Sequence, residues 1–450
     1  MIRVLSSPAD PAGPVPALWF DLTDLAAWSG PLTGIQRVMA GLARACLAAG
    51  TLPATAPDSG RPIRFCYYKR DAGFLELPRE AAQVLLAGLG TGQPLISGKG
   101  GGLLIGAFRR KMARPRCPFA PGDAYFYAGI VTSQAKLRLL DETLAALAMP
   151  MVVIVHDVIP LMFREWCKVR TYEMFQEWFG VVARRATLVL TPSENTRRDV
   201  AAAAAAAGLP CPPVVAVPLP QSFEDAPGRP GGGQQPGSDA GGETDRAAAG
   251  AAEAAALPAA FALYVSTIEP RKNHRLLFYL WKRLLAEHGA AAVPDLVFLG
   301  KRGWQSNDFV SEMTNAAFLG GKIRWLPAAD DALLAAAYRR CRFTLFPSFY
   351  EGFGLPVAES LGFGRPCLAS NQASIPEVGG DLVDYFDPYE LSQAHGLASR
   401  AIFDETFLAA RRQRIRERFT PSTWSAYAED ILAQTARSLS PPPAQPSREQ

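Results

Sequence analysis

Residues 346–370 read FPSFYEGFGLPVAESLGFGRPCLAS. An apolar strand ends at Phe346 and Pro347, the loop SFYEGFG follows, and Leu355 or Pro356 opens a helix, where a first-turn proline is well tolerated. Gly352 and Gly354 permit close backbone approach, and the helix start offers unpaired N–H groups at the positive end of the helix dipole. That combination suits a diphosphate. Glu351 projects from the loop, and Glu359 lies about one turn inside the helix, so both carboxylates can border one pocket. Carboxylates accept hydrogen bonds from vicinal hydroxyls, as on a sugar or a ribose.

Around this turn the chain alternates short apolar runs with helical patterns, the signature of a parallel sheet covered by helices. Strands are predicted at 17–22, 63–68, 124–129, 151–156 and 186–191, and again at 261–267, 295–300, 323–326 and 343–347. Helices are predicted between them, including 35–50, 134–148, 273–289 and 330–341. The fold class is α/β, with two Rossmann-like doubly wound domains facing a central cleft. Ligands of such sheets bind at the carboxyl ends of the strands. Residues 1–224 form the first domain and 261–438 the second. The Gly-, Pro- and Ala-rich stretch 225–260 between them reads as a flexible linker and 439–450 as a disordered tail, because neither can bury enough apolar area to offset its ordering entropy.

The 450 residues exceed a single compact domain, and 49% hydrophobic content supports a large core. A net charge of +4 over 46 basic and 42 acidic groups is too balanced for a chain that coats nucleic acid, so no nucleic-acid partner is expected. Seven scattered cysteines without C-x-x-C spacing argue against a disulfide scaffold or zinc ribbon and for a reducing compartment. The first residues, MIRVLSSPADPAGPVPALWF, hold no apolar core of signal-peptide length, and no run is long enough to span a bilayer. A cytoplasmic location is the expectation.

A second patch points the same way. STIEPRKNH, 266–274, follows a strand and opens a helix. Cations at a helix start are unfavourable unless an anion meets them, so Arg271 and Lys272 suit a departing nucleoside diphosphate. In VIVHDVIPL, 153–161, His156 and Asp157 lie at a strand end facing the presumed cleft. SGPLTGIQRVMAGL, 29–42, places Thr33 and Gly34 in a loop before a helix and Arg37 one turn inside it, where backbone could approach a donor phosphate or an acceptor. The cations of FRRKMARPR (Arg109, Arg110, Lys111, Arg114 and Arg116) read either as a solvated loop or as a contact for anionic lipid head groups or a lipid-diphosphate acceptor. SENTRRDVAAAAAAAG, 193–208, reads as a structural helix capped by Ser193, and the aromatics of 171–180 as core. The chain contains no D-x-D triplet, so no metal is expected.

The spacing E-x7-E from Glu351 to Glu359, with FGLP between, resembles retaining glycosyltransferase family four, of GT-B fold, over nearly the whole chain outside linker and tail. The resemblance implies an N-terminal acceptor domain, a C-terminal nucleotide-sugar donor domain, and a last helix that packs back on the first domain. It implies that Glu351 touches the donor sugar and Glu359 holds the ribose. Gly352, Phe353, Gly354 and Leu355 then meet the sugar and phosphate. The family carries Gly-Arg after the strand; here Ser266 and Thr267 stand at that position, Lys272 matches the family lysine, and Arg271 is expected to supply the missing guanidinium. His156 would approach the donor sugar, while Asp157 orients its ring or binds acceptor. His156, Glu351, Lys272 and Arg271 form the implied catalytic set, with Thr267 among the donor contacts.

The implied reaction is same-face transfer of a hexose from a nucleotide sugar to a saccharide or lipid-linked saccharide, with no cofactor. TGIQR and VHDVIPL are similar to segments of bacterial mannosyl- or rhamnosyltransferases of surface-polysaccharide assembly, which makes GDP-mannose the first donor to consider. Two rivals use the same residues: a nucleotide-sugar epimerase, betrayed by epimer formation from donor alone, and a non-catalytic sugar-binding scaffold. A scaffold would not need all of Glu351, Glu359, Lys272 and His156.

Overall fold

A computed structural model of the chain describes residues 15–28, 32, 34–53, 60–89, 117–130, 133–221, 257–327 and 330–440. Thr33, the five cations of 109–116, residues 225–256 of the predicted linker and the last ten residues lie outside this set.

Thirteen described strands fall into two sheets. In the first, β1 (Leu18–Asp21), β2 (Ile63–Lys69), β3 (Gly73–Leu77), β4 (Ala124–Tyr127), β5 (Met151–Ile154), β6 (Ala186–Thr191) and β7 (Val214–Ala216) stand in the order β3-β2-β1-β4-β5-β6-β7. Every pairing is parallel except that of β2 with β3. The second sheet is wholly parallel. It comprises β8 (Phe261–Val265), β9 (Asp295–Leu299), β10 (Ile323–Leu326), β11 (Phe343–Phe346), β12 (Cys367–Ser370) and β13 (Asp384–Phe386), ordered β10-β9-β8-β11-β12-β13. Each sheet therefore reverses direction beside its own first strand, at β1/β4 and at β8/β11. Loops leaving those strand ends diverge and open a crevice.

Burial explains why short runs suffice. Every residue of β1, β4, β5, β11 and β12 is buried, as expected where helices cover both faces. Alternate residues serve opposite cores. Leu18, Phe20 and Phe126 pack with Val38, Met39 and Leu42 of helix Gly34–Ala49. Trp19, Tyr125 and Val153 pack with Leu137 and Leu140 of helix Gln134–Ala146 and with Trp178 and Phe179 of helix Val169–Arg185. In the second sheet, Ala262, Tyr264 and Phe298 meet helix His274–His288, while Phe261, Leu263 and Val297 meet helix Asp331–Arg340. Helix Trp424–Leu439 crosses back to the first half, against helix Gly34–Ala49 and β6. No helix among the described residues is long and apolar enough to cross a membrane.

The linker reading needs one correction at its end. Leu257 is 4% exposed in the core of the second half, and Arg340 donates to the carbonyls of Leu257 and Pro258. An apolar side chain with a pocket to fill and two satisfied carbonyls belongs to the domain, not to a tether.

His274, at the start of its helix, is buried against the rings of Tyr264 and Phe298, and neither ring nitrogen has a hydrogen-bond partner. Burial, aided by the nearby Lys272 charge, pulls its pKa from 6.5 to about 3. Below pH 6.5 the unfolded chain takes up a proton that the folded chain refuses. This share of stability is complete above 6.5 and is lost as pH falls toward 3. The loss is on the order of 5 kcal/mol at about 1.4 kcal/mol per unit. His274→Phe, which keeps a ring in the site, is expected to flatten the pH dependence of unfolding free energy across this window. Parallel curves for the two proteins in denaturant titrations would exclude the effect.

Candidate functional site

The loops that leave β8 and β11 meet at the reversal point of the second sheet. After β8 the chain passes through 266–269 into the tight turn Pro270–Lys272, then Asn273 in a left-handed conformation opens the helix. Tyr264 Oη donates to the Lys272 carbonyl at 2.6 Å, and Asn273 Nδ2 donates to the carbonyls of Pro347 and Pro388 at 3.3 and 2.9 Å. Phe349 N donates to the Arg271 carbonyl at 2.9 Å. A backbone bond and the Asn273 side chain thus lace the two loops together, and the Tyr264 hydroxyl pins the first of them.

Those bonds fix the charged groups. Arg271 Nη1 lies 2.7 Å from Glu351 Oε2 and donates to the Tyr350 carbonyl at 2.5 Å, and Nη2 lies 2.8 Å from Glu269 Oε1. Lys272 Nζ lies 2.5 Å from Glu351 Oε1. Glu351 is only 7% exposed. Burial pushes its carboxyl up, but Arg271 and Lys272, through charge and hydrogen bonds, outweigh that and hold it at about 2. Burial works against the Arg271 charge too, and Glu351, Glu269 and Asp157 overcome it and raise its pKa. Burial and then Arg271 lower the Lys272 pKa, with Glu351 offsetting only part.

Helix Leu355–Gly362 begins at Gly354, whose φ of 116° favours glycine, and Ser374 Oγ lies 2.9 and 2.7 Å from the carbonyls of Glu351 and Phe353. Glu359, 9% exposed, accepts from Tyr338 Oη at 2.9 Å. Phe353 is buried under the loop, and Thr267 at the end of β8 packs against Gly303, where a Cβ would stand 2.7 Å from its methyl.

The first half closes over this loop. A Cβ on Gly352 would stand 2.1 Å from the His156 carbonyl oxygen, so glycine alone allows the approach. The His156 ring is held by its Nε2, 2.8 Å from the Ala128 carbonyl. Against a carbonyl that nitrogen must donate, which leaves Nδ1 as an acceptor, and burial depresses the ring pKa and keeps it neutral. Asp157 accepts from Ile159 N at 3.1 Å, and its pKa is raised, chiefly by burial. Gly34 faces Leu355, with 3.3 Å between a would-be Cβ and Leu355 Cδ1. Arg37 reaches Asp331 at 2.6 Å and Glu359 at 3.3 Å.

The structure thus gathers His156, Asp157, Arg271, Lys272, Glu351, Gly352 and Phe353 around one junction, and Gly34, Arg37, Leu355 and Glu359 along its flank. It also adds residues that sequence reasoning left as scaffold. Ser193 Oγ and Thr196 Oγ1 donate to the Gly352 carbonyl at 2.7 and 3.0 Å. Glu377 accepts from the backbone N–H of Glu194 and Asn195 at 2.8 and 2.7 Å, capping helix Glu194–Ala206 from the opposite half. Tyr350 Oη donates to Asp199 at 2.8 Å. The one available signal was place: Ser193 follows the carboxyl end of β6, which faces the crevice.

Residues 248–417 match the family described as glycosyl transferases group 1. The O-antigen chain mannosyltransferase B of Escherichia coli is 37% identical over 175 residues, covering 37% of this chain and 45% of the relative. The serotype-specific mannosyltransferase WbdA of Escherichia coli is 28% identical over 282 residues, covering 62% of this chain and 32% of the relative. The chain spans less than half the length of these two relatives. The solved sucrose-phosphate synthase of Thermosynechococcus elongatus superposes with a TM-score of 0.57 at 15% identity over 94% of this chain and 99% of that one. Two doubly wound sheets facing a cleft, superposing on such a chain, are the GT-B architecture.

Gly352→Ala is expected to wedge the halves apart, because the methyl would meet backbone that cannot rotate away. Overpacking of this kind costs about 1–3 kcal/mol. A drop in thermal midpoint with loss of turnover is the expected result, and an unchanged midpoint would show that the junction yields.

Proposed function

We propose, on the premise that residues 248–417 form a glycosyl transferases group 1 domain, that this chain is a retaining hexosyltransferase that moves mannose from a nucleotide sugar, GDP-mannose first, to a saccharide or lipid-linked saccharide of a bacterial surface polysaccharide. The observation that carries the reading is the buried Arg271–Lys272–Glu351 cluster at the reversal point of the second sheet, directly opposite His156. Its relatives' names, both mannosyltransferases and one of O-antigen chains, support the donor sugar and the product class.

The chemistry follows from the groups present. As the bond from the sugar C1 to the diphosphate oxygen breaks, charge grows on the nucleoside diphosphate, and Arg271, Lys272 and the amide-rich turn 352–355 are placed to receive it. The acceptor hydroxyl bonds to C1 from the same face, and its proton passes to the departing phosphate oxygen. Glu351, held at about 2 by two cations, is a poor base and a poor nucleophile; it suits orientation of sugar hydroxyls. Neutral His156 offers Nδ1 as an acceptor for a sugar hydroxyl. Glu359 suits the ribose hydroxyls. Action at the inner face of the membrane, through the cations of 109–116, belongs to the same proposal.

Incubation of GDP-mannose with saccharide acceptors, with the anomeric configuration read by NMR, tests the reading; transfer with retention is expected, and donor epimerisation without transfer would overturn it. Lys272→Ala should lower turnover by roughly a hundredfold to a thousandfold, the scale for one positioned electrostatic stabiliser. Full activity would remove Lys272 from the site. Glu359→Ala should weaken nucleoside diphosphate binding by roughly tenfold to a hundredfold, and unchanged calorimetric affinity would sink its ribose role. Activity should survive excess chelator; complete loss restored by magnesium or manganese would replace this mechanism with a metal-dependent one.

A further inference from the structure

Glu359 is already engaged. One carboxylate oxygen takes the Tyr338 hydroxyl, and the other lies 3.3 Å from Nη1 of Arg37, a residue of the opposite half. The second terminal nitrogen of Arg37 holds Asp331 at 2.6 Å. The Arg37 side chain is 15% exposed, and its guanidinium bridges two carboxylates of the second half from the start of helix Gly34–Ala49. Its two grips are unequal: the one on Asp331 is short and the one on Glu359 is long. Asp331 is also the more exposed partner, with 32% of its side chain accessible against 12% for Glu359. The guanidinium can therefore yield Glu359 while remaining on Asp331.

We propose that Arg37 is a positioning residue that works as a displaceable latch on the donor site. With no nucleotide present it neutralises the nearly buried Glu359 and ties the two halves together, and the vicinal hydroxyls of an incoming nucleoside take Glu359 from it. The inference rests on the reading of Glu359 as the ribose carboxylate. A nearly buried carboxylate with no counter-charge is costly, so a guanidinium that fills in for a neutral ligand keeps the empty site intact. It also lowers apparent affinity, because only the fraction of molecules with Glu359 released can bind. Release need not part the halves. On the other flank, Ser193 and Thr196 still hold the Gly352 carbonyl, and Glu377 still caps the helix at Glu194.

The test is calorimetric titration of the full chain with GDP and with UDP, comparing wild type, Arg37→Ala and Asp331→Asn. Arg37→Ala is expected to bind the accepted nucleotide about threefold to tenfold more tightly, as for a competent fraction of roughly a third to a tenth in the wild type. Asp331→Asn, which loosens the anchor without touching Glu359, should shift affinity the same way by less, and it keeps the test open if Arg37→Ala does not fold. The thermal midpoint of Arg37→Ala should fall without nucleotide and return to the wild-type value at saturation; a merely structural arginine would lower both. Weaker binding by Arg37→Ala would make the guanidinium a direct ligand, and unchanged binding would show that it does not compete; either overturns the latch. If wild type binds neither nucleotide and Glu359→Ala changes nothing, the donor-site reading itself fails and takes this inference with it.

Discussion

The salt bridge of Arg271 and Lys272 with Glu351 is the constraint around which the second half is arranged. With Glu269 the charges balance two against two, each group less than a fifth exposed, and removing any one leaves an uncompensated charge away from water. Arg271 and Glu351 are 80 residues apart and meet because β8 and β11 are neighbours running the same way. Parallel strands send their following loops to one edge, so the sheet order places the cations and the carboxylate together. The bonds from the Tyr264 and Asn273 side chains and from the Phe349 backbone then stop either loop from relaxing away.

What the sequence made legible was local. Strand-to-helix turns rich in glycine announce themselves, so Glu351, Gly354 and Glu359 could be found from 346–370 alone, and His156 from its place at a strand end. Ser193 was half legible. Its hydroxyl oxygen accepts from Thr196 N at 3.1 Å, the expected cap, and its proton goes to the Gly352 carbonyl in the other half. The first bond explains the residue so completely that nothing local asks for the second. Glu377 belongs to a five-residue helix, Ile375–Gly379, with no pattern around it. Lys136 lies in an amphipathic helix where a lysine reads as solvated, yet it is 2% exposed and 2.8 Å from Asp21 at the end of β1. Such a pairing exists only once the sheet does.

The missed strands have a similar explanation. β7, β12 and β13 are three or four residues long, and β12 reads CLAS without a single β-branched or aromatic side chain. β7 and β12 are held extended by β6 and β11, which are themselves well signalled, and β13 by β12 in turn. β3 differs, since it is antiparallel at the sheet edge, joined to β2 by a short turn that a strand–helix alternation does not anticipate.

The junction between the halves packs Phe163 and Trp166 against Tyr350 and Phe349 and seats Gly352 against backbone, and its polar contacts are hydroxyls on carbonyls, a carboxylate on helix N–H groups and the guanidinium groups of Arg37 and Arg198. Such contacts are directional but individually modest, because water can replace each one. The charge balance inside has a further consequence. Arg271 and Lys272 are already matched by Glu351 and Glu269, so under the proposed function an arriving diphosphate meets no spare positive charge. It must draw the cations from Glu351, and the carboxylate so uncovered needs donors in return. The hydroxyls of a sugar carried on that same diphosphate are donors of the right kind, whereas a nucleoside diphosphate alone brings none to that position. On that proposal the cluster favours a donor that presents phosphate and sugar together over either part by itself.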